Sequence, residues 1–251
     1  MLRKWDITIP QLSGKRTRRA YIYLPRDYYK DTQKRYPVLY MFDGHNVFLD
    51  SDASYGKSWG LGKYLDRTNK DILVVAIECN HEGNRRLSEY TPLSFQDSRF
   101  GFVKAQGKQY MEWLTKAMKP IIDNRLRTLP DRNHTLIAGS SMGGLMALYG
   151  ATVYNQYFSR AACLSPSLWT SPTGVLEMIA KAKFGPDTVA YLDYGSQEMD
   201  NHGASASILT GANQMLLAKG VYSTLRIVPG GNHSEASWEK QIPIFMSCLG
   251  L

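Results

Sequence analysis

What the 251-residue chain has little of narrows its possible roles. It holds 3 cysteines, Cys79, Cys163 and Cys248, an odd number set far apart among apolar neighbours. A disulfide framework needs more of them in a shorter chain, and a structural zinc site needs clustered ligands. Buried free thiols are therefore expected. No stretch approaches the roughly 18–20 uninterrupted apolar residues of a membrane-spanning helix, so no membrane partner is expected. The start of the chain, MLRKWDITIPQLSGKRTRRAYIYLP, has charges but no apolar signal core. A cytoplasmic location follows as the expectation, although a removed leader would leave no trace. Internal repeats and low-complexity linkers are missing too, so residues 1–251 are read as one domain.

Acidic residues are also in deficit: 22 Asp and Glu face 30 Lys and Arg, a formal charge of +8. Much of the excess sits in GKRTRR (14–19) and QKRYP (33–37), with Arg85 and Arg86 farther on. Zinc-finger, RNP and helix-turn-helix signatures do not accompany it, so no nucleic-acid partner is expected. The charge can still steer an anionic substrate towards the protein.

Two early segments, KWDITIP and RAYIYLP, alternate polar and apolar residues as half-buried antiparallel strands do. YPVLYMFDG (36–44), DILVVAIEC (71–79), HTLIAGS (134–140), RAACLSP (160–166), TVAYLDYG (188–195) and STLRIVPG (223–230) are nearly continuous apolar runs. That is the pattern of parallel strands covered on both faces. Helical periodicity falls between them, over 105–126 with a break or kink expected at Pro120, and near 142–154, 174–183, 205–219 and 235–249. The alternation predicts an α/β fold: a mostly parallel central sheet, helices on both faces and antiparallel N-terminal strands. Two long stretches without clear pattern, 45–63 and 80–104, follow strand ends where ligands bind in such sheets.

Gly139-Ser140-Ser141-Met142-Gly143 fits G-x-S-x-G, with a strand before it and a helix after it. A nucleophile raised on so sharp a turn needs flanking glycines to avoid backbone collisions, which makes Ser141 the candidate and not Ser140. A serine needs a base. Of the 5 histidines, His134 lies at the wrong end of its strand, whereas His233 lies on the loop after the last strand. Elbows of this kind run in the order nucleophile, acid, histidine, which places the base at His233. The acid then belongs in YLDYGSQEMDNHG (191–203), where Glu198 is favoured just past the strand end and Asp200 is the rival. The backbone N–H groups of Met142 and His45 are the expected oxyanion donors. DGH, CNHE and DNH lack the spacing of a zinc site, so neither metal nor cofactor is expected.

Taken in order, YPVLYMFDGHNVF, NRRLSEYTP, IAGSSMGGLMAL, YGSQEMDN and GGNHSEASW resemble the putative-esterase branch of the α/β-hydrolase superfamily. That branch includes enterochelin and bacillibactin esterases, feruloyl and acetyl-xylan esterases, S-formylglutathione hydrolase and the mycolyltransferases. The resemblance implies an α/β-hydrolase fold, Ser141 as nucleophile, His233 as base and Glu198 in the acid's place, although glutamate is less usual there than aspartate. It puts Arg85, Arg86 and Tyr90 near the substrate entrance. Tyr55, Trp59 and Tyr90 suit stacking against rings. A serine carboxylic-ester hydrolase is expected, its partner a small-molecule or oligosaccharide ester with feruloyl or acetyl groups. The alternatives are a catecholate-siderophore esterase and an acyltransferase using the same triad, with an idle binding protein disfavoured. Self-association into a homo-oligomer stays open.

Overall fold

Strand formation follows the apolar runs. The computed structural model describes residues 1–198 and 202–251. These form β1 (Leu2–Thr8), β2 (Thr17–Tyr23), β3 (Val38–Met41), β4 (Leu73–Ile77), β5 (Phe95–Asp97), β6 (Gly101–Val103), β7 (Thr135–Ser140), β8 (Arg160–Leu164), β9 (Val189–Gly195) and β10 (Tyr222–Val228). Eight of them join one sheet in the order β1-β2-β4-β3-β7-β8-β9-β10, while β5 and β6 pair separately. β2 runs antiparallel to both β1 and β4. The pairings from β4 across to β10 are parallel. This is the α/β-hydrolase fold, with the antiparallel strands at the N-terminal edge.

The central strands are apolar throughout because both faces are covered. In β3, Val38 and Tyr40 enter one core, and Leu39 and Met41 enter the other. The helix Met142–Val153 packs on the first face, contributing Leu145, Met146 and Leu148. The helix Glu235–Cys248 closes the second with Trp238, Ile242, Phe245 and Met246. Burying each large apolar side chain of this kind stabilises the fold by about 1.5–3 kcal/mol.

At Pro120 the chain neither breaks nor leaves the helix. The helix Gly107–Trp113 widens into a π-helical turn, Leu114–Met118, and resumes as Lys119–Arg125 with Pro120 in its first turn. The π-helical turn just before it absorbs the irregularity that the missing proline N–H and the ring impose. The stretch 80–104 holds more order than its sequence suggests, a short helix Arg85–Glu89 and the β5–β6 hairpin. Among the described residues no helix is long and apolar enough to cross a membrane.

From β3 the chain steps outward to β4 on one side, and later returns to lay β7 on the other. The loops leaving the carboxyl ends of β3 and β7 therefore diverge and open a crevice, the topological switch point where ligands bind in such sheets.

Candidate active site

Ser141 stands between β7 and the helix Met142–Val153 with φ 58° and ψ −124°, in the left-handed half of backbone space that disfavours side chains. Its N–H donates to Leu164 O (2.9 Å) and its carbonyl accepts from Ser167 N–H (3.0 Å), so the neighbouring β8 loop holds the turn from both sides. A Cβ at Gly139 would lie 2.6 Å from the Gly143 carbonyl, so only glycine lets the turn close this tightly. Ser141 Oγ lies 3.4 Å from Ser167 Oγ, and the serine lines a pocket of ≈ 650 Å³ at the switch point.

The loop after β3 forms the facing wall. Gly44 passes so close to β4 that a Cβ there would lie 2.5 Å from Ala76 O. Next to it, the backbone N–H of His45 and that of Met142 are both free of backbone carbonyl partners among the described residues. Asp43 holds this loop. Its carboxylate accepts two hydrogen bonds from Arg86, Nε and Nη2, each at 2.7 Å. Its own N–H donates to Tyr90 Oη at 3.3 Å. Burial would raise the Asp43 carboxyl, but the Arg86 guanidinium outweighs it and holds the group below the usual carboxylate range.

His233 lines the same pocket, on the loop after β10. Its Nδ1 meets Glu198 Oε2 at 2.8 Å. Glu198 is buried, and its other oxygen, Oε1, accepts from the Ser165 hydroxyl (2.5 Å) and the Gly195 N–H (2.9 Å). Ser165 in turn accepts from Trp238 Nε1–H at 2.9 Å, and the Trp238 ring stands edge-on to His233 with centroids 5.0 Å apart. The carboxylate is thus held by two donors, one of them braced by Trp238, before it reaches the imidazole. Asp200, the rival acid, lies outside the described residues. Asp193 is buried within β9, occupied by Ser165 N–H (3.0 Å) and Tyr191 Oη–H (3.0 Å), and burial pushes its carboxyl up to about 7.

The expected substrate contacts divide. Arg86 lines the pocket, but its guanidinium is clamped on Asp43. Arg85 is exposed beside Glu82, at 3.5 Å, and is not part of the pocket lining. Tyr90 is fully buried against Phe42 and Tyr110, and Trp59 is buried against Trp238 and Phe245. Neither ring can reach a substrate, which corrects the expectation for both: an aromatic in an apparently irregular loop was packed, not presented. Tyr55, 84% exposed, is the ring that does face the pocket. Sequence reasoning missed Ser165, Trp238 and Asp43, whose roles depend on contacts across the fold. It also missed that His45, Cys79 and His81 gather in one wall, each offering a ligand atom within 4.8 Å of the others, where scattered spacing had argued against such a cluster.

The sequence model of the family described as "Putative esterase" matches residues 12–245, nearly the whole chain. This chain belongs to that family. It is a carboxylic-ester hydrolase of the α/β-hydrolase fold. The chain is 25% identical over 184 residues to the uncharacterized protein YbbA of Bacillus subtilis (strain 168), covering 72% of this chain and 69% of that one. Among solved structures it resembles the siderophore hydrolase EstA from Aspergillus nidulans, with TM-score 0.75, 18% identity, and coverage of 100% of this chain and 95% of the other. It also resembles a ferulic acid esterase, with TM-score 0.69, 16% identity, and coverage of 99% and 98%. At these identities the structural likenesses speak to the fold alone.

Proposed function

We propose that this esterase works through an acyl-enzyme on Ser141, and that its substrate is an acyl ester of a hydroxylated, carbohydrate-like alcohol. One observation carries the catalytic part: Glu198, held by two donors, binds Nδ1 of His233, which leaves Nε2 as the ring's proton acceptor in a pocket that Ser141 also lines. In this reading the Ser141 hydroxyl turns from Ser167 towards that nitrogen. His233 takes the proton as Oγ attacks the acyl carbon, and the Met142 and His45 N–H groups receive the developing oxyanion. The imidazolium then protonates the leaving alcohol. Water, activated by the same ring, releases the acid and restores the serine. Throughout, Glu198 keeps the ring in one tautomer and balances its transient charge.

The substrate class is supported by the pocket's polar walls. Asn46, Ser54, Lys57 and Asn80 make its walls polar, although Lys57 is paired with Glu239 and Asn46 with Glu235, and Tyr55 offers a ring face. A second reading, hydrolysis of an anionic catecholate siderophore, is supported by the +8 charge and by the likeness to a protein described as a siderophore hydrolase. Turnover of methyl ferulate, acetylated xylo-oligosaccharide and a catecholate trilactone should be measured side by side. A preference for the trilactone of tenfold or more overturns the first reading. The catalytic assignment is tested separately. Ser141→Ala should lose several orders of magnitude in kcat and all labelling by a fluorophosphonate probe. Parent-like hydrolysis by that variant refutes it.

A further inference from the structure

β3 and β4 lie side by side in parallel, with Met41 opposite Ala76, so the loops that leave them emerge together at one end of the sheet. The first carries His45 and the second Cys79 and His81. All three line the pocket, and one candidate ligand atom from each lies within 4.8 Å of the other two. We propose that His45, Cys79 and His81 form a binding site for a divalent transition-metal ion of the zinc class, with a thiolate, two imidazole nitrogens and a water as its ligands.

The donor set is the first support. Two imidazoles and one thiolate suit a borderline ion and disfavour magnesium or calcium, which prefer oxygen. Bonds of about 2.0–2.3 Å would set tetrahedral ligands about 3.3–3.8 Å apart. The cluster must contract by about an ångström from its 4.8 Å limit, and the exposed His81 side chain has the freedom to do so. A second support is independent of the first. His45 is buried, and its Nδ1 has no hydrogen-bond partner, a penalty that coordination would relieve. Its Nε2 is occupied, 3.0 Å from Ser54 Oγ. His81 has a comparable second contact, its Nε2 lying 3.3 Å from Glu78 Oε1. A ligating imidazole typically keeps its other nitrogen on such a partner, which fixes the ring's orientation.

Asp43 in the pocket wall and Glu78 beside His81 place negative charge near the site, partly offset by the Arg86 guanidinium that Asp43 holds. A cysteine thiol is ordinarily protonated at neutral pH. Metal binding forms the sulfur–metal bond and expels that one proton to solvent.

This proposal does not depend on the chemistry of Ser141, and it can be tested without any ester. Zinc ion should be titrated calorimetrically into the full chain in buffers of different ionisation enthalpy. One site is expected, with about one proton released per ion. Cobalt(II) should give a thiolate-to-metal charge-transfer band. Cys79→Ser should abolish the band, and His81→Ala, at an exposed position that the fold tolerates, should weaken zinc binding at least tenfold. His134→Ala, an exposed histidine paired with Asp131, should bind as the parent does. Absence of a stoichiometric site in the parent overturns the proposal, as does unchanged zinc affinity in both Cys79→Ser and His81→Ala.

Discussion

Replacing Glu198 by glutamine tests the catalytic geometry at its most specific point. The two ends of the carboxylate face different partners. Oε1 accepts from the Gly195 N–H, which can only donate, and from the Ser165 hydroxyl. A glutamine fitted to the same space must put its carbonyl at that end. Its NH2 group is then forced to the Oε2 position, 2.8 Å from His233 Nδ1. The amide donates where the carboxylate accepted, so the imidazole is held with its proton on Nε2, the nitrogen that should receive the serine proton. Volume and burial hardly change, so stability should stay close to the parent's. Holding the wrong tautomer lowers kcat by up to about 10⁴-fold, equivalent to about 5.5 kcal/mol in the barrier. Steady-state hydrolysis of p-nitrophenyl acetate at neutral pH is the assay, with Asp200→Asn measured in parallel. The reasoning is refuted if Glu198→Gln stays within about tenfold of the parent, or if the large loss appears in Asp200→Asn instead.

Ser165→Ala removes the short hydrogen bond that positions Glu198 and strands the Trp238 N–H. Hydrogen bonds to charged groups are worth about 1.5–3 kcal/mol, so kcat should fall roughly ten- to a hundredfold with KM little changed, read from a full saturation curve. Asp193 supplies a pH test. Its folded value is raised from 3.8 to about 7, so the stability linked to its proton is present below about pH 4 and lost as pH rises through about 7. Compared with Asp193→Asn, the parent should lose on the order of 4 kcal/mol at most across that window, measured by urea unfolding at successive pH values. A constant difference between the two proteins would refute this. Trp59→Ala should destabilise the protein by about 3–5 kcal/mol in denaturant unfolding. Where the variant is folded, KM should match the parent's, since the ring lies outside the pocket lining.

The core strands were legible because a strand buried on both faces reads as an unbroken apolar run, as in Leu73–Ile77, and no other short element does so as clearly. The elbow was legible because its constraint is local: the glycines and the serine that need one another are adjacent in the chain. His233 and Glu198 were assigned from the order in which strand ends succeed one another. What the sequence hid is what depends on the direction a side chain takes. Trp59 and Tyr90 have the same composition signal whether they face a ligand or a core, and the helix Leu61–Thr68 and the short helix Arg85–Glu89 turn that choice inward. Arg86 resembled a substrate anchor until Asp43 was found beneath it. Ser165 carries no motif at all, since its importance comes from Glu198 and Trp238 converging on one hydroxyl. The Pro120 irregularity was visible as a residue, but the π-helical turn that absorbs it was not.

The proposed reacting groups hang from the tips of β7, β9 and β10, while much of the pocket's rim is drawn from the segments that follow β3 and β4. Apart from the His45 N–H, the rim that would recognise a substrate and the groups proposed to react with it are therefore carried largely on different lengths of chain. Grafting a longer or differently charged stretch around Gly83 would re-tailor which esters are admitted while leaving the proposed reacting groups in place. A scaffold organised in this way can change clientele through its hems alone.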